Sequence, residues 1–483
     1  MLKASGNSLR FGLAAVALAA TLGGCATGKT WSYDEKAEVN RGSQQHKMIV
    51  AQPGPGVYSN KDMSDYVAAV GGKLAAVSGR PGLKWQFTVL DSPRPDAFAT
   101  RGGYVYITRG MLALLRSEND LAAVLAHEIA HVSTRDALRA ETHGNILGLG
   151  TLAAAVAYAP AALLVPQLAL APAGASMAAF SRRDELKADE HGAEYLRRAG
   201  YQPESMSAVM DIVASIEAYD REHGRSPRNG WHRVFASHPS PDKRQAKLGD
   251  TGFSTHATGD PEFLARLDGL EFGSGKRTGI PSDSRRYFAQ WNLMLEVPDD
   301  WTASANPEKL WLFRKDGKAR MSLERTGTGT TGDLCEALAP FAKDASLTEL
   351  QRASDSGVQS CTGFARHSTR TIFRKHEAVW RIGIVARDDD PGARYVYRGF
   401  RAKSAENDSI FLSIARSAET LKEGEEPPKP TVLRIRRVQE GDSFATLAKS
   451  ARGIPNAEAA LRLLNQRYPS GELEIGQLVK VIE

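Results

Sequence analysis

Reactive thiols, spanning segments and nucleic-acid signals are all scarce in this sequence. Only three cysteines stand among 483 residues. Neither Cys335 nor Cys361 has a histidine block around it, which argues against a thiol nucleophile. No basic helix with interleaved aromatics appears, so nucleic acid is not an expected partner. Residues 11–22 form an apolar core behind Lys3 and Arg10, too short for a membrane span, and read as part of a cleaved signal peptide over 1–24. Residues 144–181 carry no formal charge, yet Pro160, Pro166 and Pro172 interrupt them before any run reaches the roughly 20 residues of a spanning helix. They predict a core helix followed by an apolar loop; the sharper alternative is a surface that meets a membrane or an unfolded client.

What remains is the composition of a globular chain, 42% hydrophobic and 24% charged. Removing the signal leaves 459 residues (483 minus 24), enough for two to four domains. The formal charge of +6 falls to +4 when Lys3 and Arg10 leave (6 minus 2), which selects no polyanionic partner. Glycine and proline mark linkers over 271–284 and 423–430. Between them, alternating runs at 291–297 and 379–385 predict strands, and 334–342 and 408–421 predict helices, giving a small α+β domain over 285–422. It carries no ligand cluster or phosphate loop. In an oxidising compartment Cys335 and Cys361 are expected to pair, the alternative being two separate buried thiols.

The chemistry concentrates at His127-Glu128-Ile129-Ala130-His131, an H-E-x-x-H run preceded by the apolar residues 121–126. This predicts a helix with Asn119 as its N-cap. Positions i and i+4 share a helix face, so both imidazoles can reach one metal, and Glu128 is placed to act as general base. The bland alternative is an amphipathic helix with two surface histidines, but its apolar face would bury them without partners. A zinc site needs a third protein ligand and an open position. Glu185 can supply the ligand, with Asp189 one turn later on the same face.

Around these residues, over about 58–247, the chain resembles the HtpX-like and BepA-like gluzincins of metallopeptidase family forty-eight. Asp96-Ala97-Phe98-Ala99 with Gly102 to Gly110 resembles the family's N-A-F-A-x-P-G-G strand. Ser181-Arg182-Arg183-Asp184-Glu185 with Ala188-Asp189 resembles its S-R-x-x-E-x-x-A-D block. Gly200-Tyr201-Gln202-Pro203 resembles G-Y-D-P, and Ser237-His238-Pro239 with Arg244 resembles T-H-P-x-x-x-x-R. Asp96 replaces Asn and Arg101 replaces Pro, departures that bear on specificity. The resemblance implies an α+β fold with a mainly helical protease domain over 56–260 and a small edge-strand sheet. It implies zinc-dependent peptide hydrolysis with one Zn2+ per chain on His127, His131 and Glu185, and Glu128 as general base. Asp189 would orient a ligand histidine. Gly103, Tyr104, Val105 and Tyr106 would form the strand that holds an extended peptide. It also places His238 near the site, as an oxyanion donor, as a residue that keeps the enzyme latent, or as a structural loop histidine. Arg244 would pair with a carboxylate there or be solvated.

The N-terminus gives an address. Leu22-Gly23-Gly24-Cys25 resembles a bacterial lipobox, with Cys25 as the lipidated residue and 25–55 as a polar tether. Ala26 in place of aspartate implies an outer-membrane lipoprotein facing the periplasm. Residues 431–483, with Gly441-Asp442-Ser443 and Gly476-Gln477, resemble a LysM-type β-α-α-β module, for which peptidoglycan is an expected partner. The expected role is an endopeptidase for misfolded or misassembled envelope proteins. The alternatives are a latent or non-catalytic assembly factor for outer-membrane proteins and a murein-directed hydrolase.

Overall fold

The structure, a computed structural model, describes residues 34–50, 56–136, 182–224, 259–326, 332–342, 345–370, 375–401, 408–451 and 453–483. Helices α1 (Glu35–Val50) and α2 (Lys61–Ala76) precede strands β1 (Gln86–Leu90), β2 (Ala97–Thr100) and β3 (Tyr104–Thr108). Helices α3 (Arg109–Leu114), α4 (Glu118–Thr134), α5 (Arg182–Arg198), α6 (Ser205–Glu222) and α7 (Pro261–Leu267) follow. The strands form a sheet in the order β1-β3-β2, with β3 parallel to β1 and antiparallel to β2.

Helix α4 carries the H-E-x-x-H run. Ser117, extended at φ −149°, caps it by accepting from the Asp120 amide. The helix therefore starts before Asn119, the cap expected from sequence, whose Oδ1 instead accepts from the Gln202 amide at 3.0 Å. Arg135, left-handed at φ 58°, ends it. Every residue from Asp120 to Val132 is buried, because α2, α5, α6 and β2 surround the helix. A helix apolar on all sides is stable only in such a setting. Alanines 122, 123, 126 and 130 keep it slender, and Gly192 of α5 crosses it closely. A Cβ at Gly192 would lie 2.6 Å from Met206 Cε and 3.3 Å from the His127 nitrogen.

The stretch 25–55, expected to be a tether, contains the docked helix α1 over its described part. Glu38 and Gly42 are its buried residues, so it docks by a charge and a glycine rather than by an apolar stripe. That polar composition is why it reads as linker.

A second body is built from β4 (Ile280–Ser282), β5 (Arg285–Phe288), β6 (Leu293–Glu296), β7 (Trp301–Ala305), β8 (Leu310–Arg314) and β9 (Ala319–Thr326). It continues through α8 (Leu334–Leu338), β10 (Ser346–Asp355), β11 (Val358–Arg370), β12 (Lys375–Arg387), β13 (Asp390–Arg401), α9 (Asp408–Arg416) and β14 (Glu419–Thr420). Strands β10-β11-β12-β13-β9-β8-β7 make a seven-stranded antiparallel sheet, and β14-β6-β5-β4 a four-stranded one. Phe411 of α9 packs edge-on to Trp301, in a core with Tyr395 and Tyr397. Cys335 of α8 is disulfide-bonded to Cys361 of β11, in a separate cluster with Leu338 and Ile384.

The expected linker 271–284 is not a free connection. Arg109 is fully buried, donates from Nε to Asp91 at 2.7 Å, and donates from Nη1 and Nη2 to the carbonyls of Glu271 and Gly273, both at 2.8 Å. A buried guanidinium needs acceptors, and this backbone supplies them. Strand β4 already begins inside the stretch, pairing with β5. By contrast, 423–426 is exposed chain without helix or strand.

The C-terminal segment runs β15 (Leu433–Arg437), α10 (Phe444–Leu447), α11 (Ala457–Leu464) and β16 (Leu478–Ile482), with β15 and β16 paired antiparallel. Its apolar residues share one core with the helices and sheet of 58–270. Lys480 is fully buried and donates to the carbonyls of Ala113, at 2.7 Å, and Leu115, at 2.5 Å, where α3 ends and α4 is about to start. Burial pushes its pKa down to about 7, against the raising influence of Asp120. Lys480→Ala leaves two buried carbonyls without their donor and opens a void; it is expected to lower stability by about 2–4 kcal/mol. Denaturant titration of the variant beside the native chain reads this as a shifted midpoint.

Candidate metal centre

His127 and His131 lie one turn apart on α4, and Glu185 faces them from α5, completely buried. Their Nε2 atoms stand 3.1 Å apart. Glu185 Oε2 is 3.5 Å from His127 Nε2, and Oε1 is 3.4 Å from His131 Nε2. One donor atom from each residue falls within 4.8 Å of the others. Arms of about 2.0–2.1 Å in a tetrahedral site place ligands roughly 3.3 Å apart. The observed spacings match that edge length.

Each imidazole has a carboxylate behind it. His127 Nδ1 lies 3.0 Å from Asp189 Oδ1, and His131 Nδ1 lies 2.7 Å from Asp136 Oδ2. Those contacts put the ring proton on Nδ1 and aim both Nε2 lone pairs at one point. Two lone pairs at 3.1 Å repel unless a cation or a proton lies between them. Burial alone would lower the His131 pKa, yet hydrogen bonds to Asp136 and Glu185 and the charges of Glu185 and Glu128 raise it to about 10. The pocket is thus strongly favourable to positive charge, and its N,N,O donor set fits a metal ion.

Glu128 is buried, and its charge acts on both His131 and Asp96. It therefore lies within electrostatic reach of both the ligand triad and the start of β2. Burial, reinforced by Glu128, pushes the Asp96 carboxyl well above its ordinary value. A neutral acid there presents a hydrogen-bond donor, as the amide of an asparagine would. Arg101 is buried in the turn between β2 and β3.

The expected substrate strand, Gly103, Tyr104, Val105 and Tyr106, requires correction. These residues enter β3, the central strand, whose backbone already pairs with β1 on one side and β2 on the other. Val105 is in the core and Tyr106 is wholly buried. The edge beside α4 is β2, Ala97–Thr100. His238, Arg244, Cys25 and the uncharged stretch 144–181 lie outside the described residues. Sequence reasoning missed Asp136; its signal was an acidic residue five positions after His131.

Two histidines on one helix, a carboxylate from a second and a buried glutamate next to one of them make the donor set of an H-E-x-x-H metal centre. Residues 62–251 match the model of Peptidase family M48. Among curated proteins, the chain is 34% identical over 187 residues to the mitochondrial metalloendopeptidase OMA1 of Schizosaccharomyces pombe, covering 38% of this chain and 51% of that one. It is 26% identical over 242 residues to the beta-barrel assembly-enhancing protease of Escherichia coli, covering 48% of each. The chain spans about half the length of the curated relatives it matches. A solved structure of the Saccharomyces cerevisiae Ran-binding protein Mog1p aligns at 8% identity and a TM-score of 0.23, over 28% of this chain and 94% of that one.

Asp136→Ala is expected to weaken metal binding by about 10–100-fold while leaving the fold intact, measured by competition with a metallochromic chelator. Because the metal-free site holds a proton up to about pH 10, affinity should rise with pH between 7 and 9. Calorimetry in buffers of different ionisation enthalpy should count about one proton released per ion.

Proposed function

We propose that this chain is a zinc-dependent endopeptidase acting on misfolded or misassembled proteins of the cell envelope. The observation that carries the reading is the buried triad His127, His131 and Glu185 with Glu128 against it. A purely structural metal site has no need of a general base. His127, His131 and Glu185 would hold one Zn2+, with Asp189 and Asp136 fixing the imidazoles from behind. When bound, zinc supplies Lewis acidity toward water and the scissile carbonyl.

The chain's own groups do the rest. The outer edge of β2 pairs with an extended peptide and lays it along α4. Glu128 takes a proton from the attacking water and passes it to the leaving amine nitrogen. Asp96, at the mouth of β2, is placed to donate a hydrogen bond to the bound backbone. His238 and Arg244 enter this proposal through family resemblance alone. As an oxyanion donor His238 raises the rate, and as a latency device it lowers it. Peptidase assays on His238→Ala separate the two by sign: a fall means the first, a rise the second.

Lipidation of Cys25 would hold the enzyme at the outer membrane on its periplasmic side, and 431–483 is proposed as a LysM-like module. Among the described residues no helix is long and apolar enough to cross a membrane. The deciding assay is hydrolysis of casein by zinc-loaded residues 26–483, beside Glu128→Gln and a chelated sample. Cleavage by the native chain, reduced at least 100-fold in both controls, is the expected result. A native chain that binds zinc yet leaves casein intact would move the assembly-factor reading to the front.

A further inference from the structure

Helix α1 touches both walls of the proposed cleft. Over the sheet, His46 Nδ1 lies 3.0 Å from the Tyr106 hydroxyl, and its ring stacks on Tyr104 at 4.9 Å. Tyr104 and Tyr106 occupy one face of β3, so α1 covers the face opposite the core. At the β2–β3 turn the packing is tighter still. A Cβ on Gly42 would sit 2.0 Å from the Arg101 carbonyl oxygen, and one on Gly102 would sit 2.9 Å from Val39 Cα. The turn that ends the edge strand is thus nested directly against the helix backbone.

The second wall is reached through charge. Glu38 accepts a two-pronged bond from Arg80, at 2.8 and 3.1 Å, and both side chains are buried. Arg80 also donates to the carbonyl of Val132 in the last turn of α4, at 3.3 Å. Arg135 Nε lies 3.7 Å from Glu38, and the next residue is Asp136, which holds His131. One residue before Arg80, the Gly79 amide donates to Tyr195 of α5, the helix that carries Glu185. The loop at 79–80 thereby ties α1 to both metal-bearing helices.

We infer that α1 is a positioning element of the peptidase centre, keyed by Glu38 and Gly42. It sets the peptide-binding edge of β2 at a fixed distance from the metal-bearing end of α4. This deepens the endopeptidase reading and rests on it. The docking is specific because it is not greasy: a displaced helix would leave a buried guanidinium without its carboxylate, and no alternative register offers Gly42's clearance. Undocking α1 removes no group that touches substrate or metal. Its effect falls on alignment, where an ångström of misplacement costs up to about 100-fold.

The test uses Gly42→Leu and Glu38→Gln in the full mature chain loaded with zinc. Hydrogen exchange reads docking at 34–50 and 97–103, metal content is counted, and kcat and KM are measured on an extended peptide. We expect faster exchange in both segments, one zinc retained per chain, and KM raised about tenfold with a smaller change in kcat. A purely structural role would lower the active fraction and leave KM alone. Released α1 with native KM overturns the inference. If neither variant speeds exchange at 34–50, Glu38 and Gly42 do not key the docking and the inference is likewise overturned. A native chain that fails to cleave at all overturns the endopeptidase reading instead, a distinct outcome.

Discussion

Two imidazole nitrogens held face to face in a buried pocket are the constraint around which this protein is arranged. Such a contact is repulsive on its own, so the surroundings must supply both the force that holds it and the charge that justifies it. Asp189 and Asp136 fix the rings from behind, and Glu185 and Glu128 add negative potential in front. The four carboxylates come from three places: Glu128 from α4, Asp136 from its exit turn, and Glu185 and Asp189 from α5 crossing it. The close crossing at Gly192 is what lets α5 deliver its carboxylates at this range.

Electrostatic demands of the same kind recur through the scaffold. Arg109, paired with the Asp91 carboxylate, and Lys480, whose pKa burial lowers to about 7, are buried donors that backbone carbonyls from segments distant in sequence satisfy. Such contacts are directional, and each is lost outright if its partner segment moves. Apolar burial brings the C-terminal segment onto the helices and sheet of 58–270, and Lys480 specifies where it lands. The second body follows a different plan, a broad antiparallel sheet with helices on its faces, and carries no metal-ligand group among the described residues.

The ligand set was legible in sequence because helical periodicity is local: i and i+4 put the histidines together, and Glu185 and Asp189 repeat that spacing. Asp136 escaped notice because it follows Arg135, whose left-handed turn redirects the chain beyond the reach of helical counting. Strand order is non-local, so the sequence around 97–108 pointed to a strand beside the site but assigned the edge to 103–106. The sheet places β3 in the middle and leaves β2 outside. Helix α1 was the hardest to read. Its buried face is one carboxylate and one glycine, a pattern indistinguishable from a polar linker until Arg80 and the β2–β3 turn are seen against it.

Lys480 and Leu115 meet although 365 positions separate them. A polypeptide emerging from its N-terminus therefore presents the H-E-x-x-H helix long before the strand that closes the core beside it. During that interval the start of α4 lacks its final neighbour, and the two halves of the cleft stand on an unfinished base. Completion of the metal-bearing part of the fold is thus tied to the last strand of the chain to be made, β16.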